Sequence, residues 1–288
     1  ITAGIPGTQM PGFSDPQSKK RLSDEEAWAV AAYVGTIDAP YKKPVDGANI
    51  NAVRIDTAVP AGVEDEAWAR AGYASFYTLP QIIADERHFT PTINSMAVKA
   101  LYNEKDIAFL LEWDDPTHGV PGDAKSMEIA DGEVFADGVA LQFPVRPSGT
   151  SRPYFGMGDA VNPVNIWMWQ GISEGSGSTR LLNARGTREI KERDASLVGL
   201  SASAVYSHGT WRMVFTRPLV TEDPSVDLQF SVDTFIPVAL GAWDGSNNEK
   251  GSRHVLTQWQ WVRLGKKEGG PGYLWPLVAG GVALALEL

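Results

Sequence analysis

The chain contains no cysteine. Disulfides, thiolate-held iron–sulfur clusters and thiolate zinc sites are therefore excluded, as is covalent haem attachment within these residues, which needs Cys-x-x-Cys-His. Positive charge is also scarce: 25 Lys and Arg stand against 35 Asp and Glu, a formal net charge of -10. That balance argues against a nucleic-acid partner, which needs a basic face to meet phosphates. Long apolar runs are missing too. The uncharged stretch Trp275 to Leu286 stops at Glu287, short of the roughly 20 residues of a membrane span. No nucleophile paired with a base, no zinc-ligand spacing, no phosphate-binding loop and no internal repeat stands out. What is abundant is Trp (10), Gly (29) and Pro (19), set among short alternating runs, the composition of an all-β domain with bulky interior groups.

Taken in order, residues 1–38 differ from the rest. Ser23-Asp24-Glu25-Glu26 has the form of a capping box, with Ser23 as N-cap and Glu26 at N3, and Ala27 to Thr36 continues as a helix. Residues 39–50, with Pro40, Pro44 and Gly47, read as a linker. From 51 to 266 the pattern has period two. Strands are expected over 51–58, 93–101, 107–113, 139–145, 165–170, 211–217, 235–243 and 255–264, with Asn103-Glu104-Lys105-Asp106 and His208-Gly209-Thr210 as turns. Strands at this spacing predict a β-sandwich. Residues 172–204, rich in Gly, Ser and charge, read as a long excursion with a short helix. Residues 267–288 read as an apolar C-terminal helix, the start of a membrane anchor, with Lys266 and Lys267 ahead of it and Tyr273 and Trp275 at the interface.

One stretch carries chemistry. Pro153-Tyr154-Phe155-Gly156-Met157-Gly158-Asp159 sets a methionine between two glycines. The glycines are expected to absorb the turn, so that the Met157 thioether reaches inward without backbone strain. Such a thioether is either a soft ligand to haem iron or a gap-filling side chain, and spacing alone does not separate the two. Of the histidines, His88 and His208 flank turns and read as solvated, and His118 follows Trp113-Asp114-Asp115-Pro116-Thr117, whose aspartates read as fixing a turn. Asp114 and Asp115 make a poor catalytic dyad, because adjacent strand residues point to opposite faces.

Two resemblances sharpen this reading. Gly7-Thr8-Gln9-Met10-Pro11-Gly12-Phe13, followed by Leu22-Ser23-Asp24-Glu25-Glu26-Ala27-Trp28 and Tyr33-Val34, resembles the C-terminal third of a class I cytochrome c. That resemblance implies Met10 as distal ligand of a haem c whose attachment motif lies outside this chain. The strings Ala97 to Asn103, Ile107 to Thr117, Asp137 to Pro144, Met157-Gly158-Asp159, Pro163 to Trp167, Gly209 to Leu219 and Trp243 to Asn247 resemble the haem-b-binding γ-subunit family of ethylbenzene dehydrogenase and dimethylsulfide dehydrogenase-type molybdoenzymes.

This second resemblance implies a mainly β protein, a haem-binding sandwich like the cytochrome domain of cellobiose dehydrogenase. It implies one non-covalent haem b inside the sandwich, held by a methionine, here Met157, and by a second ligand in the string Gly251-Ser252-Arg253-His254-Val255-Leu256-Thr257-Gln258-Trp259. Histidine stands at 254 where that family has lysine, a substitution that keeps a nitrogen donor. Met96 is the rival thioether, and Arg212 and Arg217 are candidates to pair with haem propionates. The implied role is electron transfer rather than catalysis: a subunit relaying electrons between a redox partner, a molybdoenzyme or membrane cytochrome complex, and a c-type haem or the respiratory chain. Its implied place is periplasmic or extracytoplasmic, membrane-associated through the C-terminus. The competing class is a carbohydrate- or ligand-binding sandwich without redox activity.

Overall fold

The computed structural model describes residues 45–46, 49–121, 133–148, 152–173 and 176–265, together with the isolated positions 22, 23, 26, 30 and 127. The chain divides into two units, residues 1–43 and 44–288. In the first, the capping box forms as its sequence dictates. The Ser23 hydroxyl accepts from the Glu26 N–H (3.2 Å), and the Glu26 carboxylate accepts from the Ser23 N–H (2.8 Å) and hydroxyl (2.9 Å). Met10, the cytochrome c-like segment around it, most of the linker and the C-terminal apolar stretch lie outside the described residues.

The second unit is a β structure. Its described strands are β1 (Val45–Asp46), β2 (Ile50–Arg54), β3 (Ala74–Tyr77), β4 (Leu79–Pro80), β5 (Ser95–Tyr102), β6 (Asp106–Asp114), β7 (Gly138–Pro144), β8 (Val164–Ser173), β9 (Ser176–Ala184), β10 (Ile190–Arg193), β11 (Ser201–Ser207), β12 (Thr210–Pro218), β13 (Phe235–Trp243), β14 (Val255–Leu256) and β15 (Gln260–Leu264). Hydrogen-bonded neighbours run β10-β9-β8-β7-β13-β15-β2-β5-β6-β12-β11. Local chemistry fixes the hairpins. Asn103 Oδ1 accepts from the N–H groups of Lys105 and Asp106 (both 2.8 Å) to turn β5 into β6. His208 and Gly209, at φ 53° and 78°, make the two-residue turn between β11 and β12.

The ladder folds back on itself, so that β7, β8, β9 and β13 face β5, β6 and β12 across an aromatic interior. Phe109 of β6 meets Phe143 of β7 at 5.8 Å and Trp167 of β8 at 6.0 Å, and Trp167 meets Phe215 of β12 at 6.2 Å. The fifteen strands and this inter-sheet core make the fold a β-sandwich in outline, as the alternation predicted. Each sheet also carries an apolar patch on its outward face, because alternate residues of one strand point to opposite sides. Leu101, Ala108, Leu110 and Val214 lie under a lid of Ile55, Val63, Trp68 and Ala71. Ala140, Val164, Ile166, Met168, Leu182, Ala184 and Trp243 form the opposite patch, with Met157 and Trp259 packed on it.

Three expectations are corrected here. The excursion over 172–204 is largely strand: β9, β10 and the start of β11 occupy it, with a 3₁₀ turn at Ala195–Val198 in place of the expected helix. The last strand is broken into β14 and β15. Between β2 and β5 the chain adds β3, β4 and a 3₁₀ turn, Glu66–Arg70, capped by Asp65, whose carboxylate accepts from the Ala67 N–H at 2.8 Å. Among the described residues no helix is long and apolar enough to cross a membrane.

Candidate functional site

Met157 sits in the loop between β7 and β8, and its own backbone takes the left-handed conformation, φ 69°. The flanking glycines therefore do not absorb the turn alone, contrary to the sequence expectation. Gly158, at φ 73°, is also required: a Cβ there would come within 2.8 Å of the Asn162 carbonyl. A methionine in this region costs about 1–2 kcal/mol, and the surroundings hold it there. Gln142 reaches up from β7, its Oε1 accepting from the Met157 N–H (3.2 Å) and its Nε2 donating to the Phe155 carbonyl (2.7 Å). The Met157 carbonyl accepts from the Gly186 N–H at 2.8 Å. The side chain, part-buried, then rests on the outward patch of β7, β8, β9 and β13.

His254 immediately precedes β14. Its carbonyl accepts from the Gln81 N–H at 2.9 Å, which ties this segment to β4. Its ring lies against Trp243 of the same patch, centroids 4.8 Å apart. The ring keeps an exposed edge, yet the packing around it is dense enough that desolvation pulls its pKa down to about 4, against smaller opposing contributions from the Gly251 and Ser252 backbone. Nδ1 lies 3.2 Å from the Gly251 carbonyl. In the neutral ring Nδ1 is then the donor, and Nε2 keeps its lone pair, the arrangement a metal-ligating imidazole uses.

Met157 and His254 thus border one apolar patch, on the outward face of the sheet. The expected interior position fails for a steric reason: the space between the sheets is filled by Phe109, Phe143, Trp167, Phe215 and Phe230. Met96, the rival thioether, is 1% exposed and packed into that inter-sheet core. The donor set at the patch, a thioether and a neutral imidazole without thiolate or carboxylate, fits haem iron. The patch has small residues at Gly138, Ala140, Ala239 and Gly241 on the same outward side, where little side chain stands above the backbone.

The two arginines serve other partners. Arg212 of β12 pairs with Glu64 on the far face of the sandwich. Arg217, 1% exposed, donates to the carbonyls of Pro218 (3.0 Å) and Leu228 (2.5 Å) and lies over the rings of Trp167 (4.9 Å) and Phe230 (5.1 Å); burial lowers its pKa to about 10. Neither reaches the patch that Met157 and His254 share. Of the remaining histidines, His208 is exposed and His118 stacks on Tyr206 at 4.8 Å. His88, expected in solvent, is buried, with Nε2 2.9 Å from Glu249 Oε1. Sequence reasoning passed over Gln142 and Trp243 as site residues. A glutamine interrupting the apolar run Val139-Ala140-Leu141-Gln142-Phe143 was the available signal.

The class these features define is a β-sandwich with a soft and a nitrogen donor at the rim of one outward sheet face. The family model described as "Ethylbenzene dehydrogenase" matches residues 65–180. ORF7 of Haloferax mediterranei, named for a respiratory nitrate reductase heme subunit, is 30% identical over 200 residues, covering 67% of this chain and 66% of that protein. The chlorate reductase subunit gamma of Ideonella dechloratans is 29% identical, covering 61% of this chain and 67% of its own length. The dimethylsulfide dehydrogenase subunit gamma of Rhodovulum sulfidophilum is 30% identical, covering 54% of each. The chain belongs to this ethylbenzene dehydrogenase γ-subunit family. It spans about two thirds or less of the length of these curated relatives. Among solved structures, a carbohydrate-binding module of family 9 from Caldicellulosiruptor kristjanssonii matches 77% of this chain and 96% of its own, at 12% identity and TM-score 0.40.

Proposed function

We propose that the chain is a non-catalytic electron-transfer subunit of a larger redox complex, holding one non-covalent haem b with Met157 and His254 as its protein ligands. The observation that carries this reading is the shared patch: Met157 packs on it, and His254, kept neutral with a lone pair on Nε2, lies against its Trp243. The names of the relatives point the same way, toward subunits of nitrate, chlorate and dimethylsulfide enzymes. A bound haem would supply one-electron chemistry. The chain's own residues supply the rest. Gln142 and Gly186 hold the Met157 backbone, the Gly251 carbonyl orients the imidazole, and Trp243 and Trp259 exclude water from the patch. Met157 and His254 would together hold the iron, which would then serve electron transfer rather than substrate binding, and a thioether donor would favour the reduced metal more than a second nitrogen would.

Within the same proposal the partners are other subunits of the complex, including a molybdoenzyme and a c-type cytochrome. Met10 would serve a haem c whose attachment motif lies elsewhere, and the chain would work outside the cytoplasm, at a membrane reached through its C-terminus. The test is reconstitution of the full chain with haemin, followed by absorption spectroscopy. Wild type should give a low-spin spectrum at one haem b per chain, and Met157→Ala should change it while Met96→Ala should not. A low-spin spectrum lost in Met96→Ala and kept in Met157→Ala would reverse the ligand assignment.

A further inference from the structure

Three aspartates from distant parts of the chain meet at one end of the sandwich. Asp115 follows β6, Asp137 precedes β7 and Asp244 follows β13, and they are 0%, 0% and 2% exposed. One carboxylate oxygen from each lies within 4.8 Å of the other two. Asp137 accepts three N–H donors: Gly119 (2.6 Å) and Trp211 Nε1 (3.0 Å) at Oδ2, and Gly245 (2.8 Å) at Oδ1. Asp244 accepts from the N–H groups of Ser246 and Asn247 and from the Thr92 hydroxyl (2.6 Å). Both carboxyl groups are thus held by donors, as ionised carboxylates are, since an ionised carboxylate only accepts.

Asp115 is different. Its Oδ1 accepts from the Thr117 N–H and hydroxyl (3.0 and 3.1 Å), whereas its Oδ2 is buried with no hydrogen-bond partner. Among the described residues no lysine or arginine forms an ion pair with any of the three. A fourth carboxylate, Glu249, stands behind them, accepting from the Asp244 N–H at 3.1 Å. Burial and the mutual repulsion of these groups push Asp115 well above the usual carboxylate range and Asp137 to about 7. A buried cluster of this charge must take up either protons or a cation. Donor saturation of Asp137 and Asp244 speaks against protons on those two, and the bare Oδ2 of Asp115 offers lone pairs to a cation.

We propose that Asp115, Asp137 and Asp244 bind a calcium ion. The donors are all oxygen, the preference of hard divalent cations, and the three carboxylates stand close enough together to share one ion. Magnesium demands near-ideal octahedral geometry and dehydrates reluctantly, whereas calcium accepts an irregular set of carboxylate oxygens. The ion joins the end of β6, the approach to β7 and the loop after β13. That loop leads on to His254, so the same ion also anchors the segment bearing the imidazole.

The test needs no haem. The full chain is stripped with a chelator and dialysed against calcium, then its metal content is measured. One calcium per chain is expected, with a rise in melting temperature on adding calcium. Terbium added to the stripped protein should emit under tryptophan excitation, because Trp211 Nε1 lies 3.0 Å from Asp137 Oδ2, and calcium should displace it. Asp115→Asn should weaken calcium on the order of 100-fold, the loss of one of three anionic ligands, while Asp114→Asn, at the exposed neighbour, should change nothing. If Asp115→Asn does not fold, the wild-type measurements alone decide. No bound calcium, no sensitised terbium emission and no calcium-dependent melting shift would overturn the proposal and leave the cluster to protons.

Discussion

The two outward faces of the sandwich are built alike and closed differently. Over β5, β6 and β12 the lid is hydrocarbon: Ile55, Val63, Trp68 and Ala71 are all buried, and the one polar atom of the Trp68 ring donates to the Gly62 carbonyl at 3.0 Å. Over β7, β8, β9 and β13 the lid consists of Met157 and Trp259, both only partly buried, with His254 at the rim on Trp243. The first lid has no atom that could bind a metal, whereas the second holds a soft sulfur and an imidazole nitrogen. An apolar patch beneath each lid does not make the faces equivalent. What separates them is the chemistry of the residues that close them and how completely they do so.

Substitutions on the two sides should therefore fail in different ways. His254→Ala is expected to have the largest effect on cofactor binding, abolishing haem retention in gel filtration after reconstitution while leaving the circular dichroism of the sheets intact. Retention equal to wild type would remove His254 from the site. Trp68→Ala, on the other face, should cost about 3–5 kcal/mol in urea unfolding and leave the haem spectrum of the folded fraction unchanged. A spectral change there would mean the faces are not independent. Met96→Ala should cost about 2–5 kcal/mol as a core truncation, again with the spectrum preserved.

The pH response gives a finer comparison. Because the His254 pKa is lowered to about 4, the unfolded chain binds the proton first. Stability from the neutral ring is complete above about 6.5, the ordinary histidine value, and is lost as pH falls through 6.5 toward 4. In the haem-free protein, His254→Gln should flatten that part of the stability curve, and Trp68→Phe should not. The smallest effect is expected of Gln142→Leu, which removes two hydrogen bonds worth about 0.5–1.5 kcal/mol each. It should broaden the spectrum of the reconstituted protein more than it lowers the melting temperature.

Much of the sandwich was legible in the sequence. β13 falls where alternation placed it, and β5 to β6 turn at Asn103, because turn chemistry and strand pattern agree there. β9 to β11 were missed for a physical reason: β10 and β11 are exposed or half-exposed along their whole lengths, so no apolar face marks them against a Gly- and Ser-rich background. Resemblance singled out Met157 and His254 as the proposed donors, but their outward position was not legible. β7 is buried on both sides, from Gly138 to Pro144, so its sequence does not say which face meets the other sheet. The aspartate cluster was illegible because Asp115 reads as a turn residue and nothing in the sequence joins it to Asp137 and Asp244 until the fold brings them together.

The grip on Met157 has a consequence for speed. Its amide N–H is held by Gln142 and its carbonyl by Gly186, in a conformation that methionine does not choose on its own. A sulfur on so fixed a backbone has little freedom to follow a change of charge at whatever it touches. When a centre gains or loses an electron, atoms that stay put leave less nuclear rearrangement for the thermal bath to supply, as in other preorganised sites. On the proposed reading, in which Met157 holds the haem iron, the strained turn would set a kinetic property, the ease with which charge can arrive and leave in either direction, and Gln142 would help to govern it through the Met157 backbone.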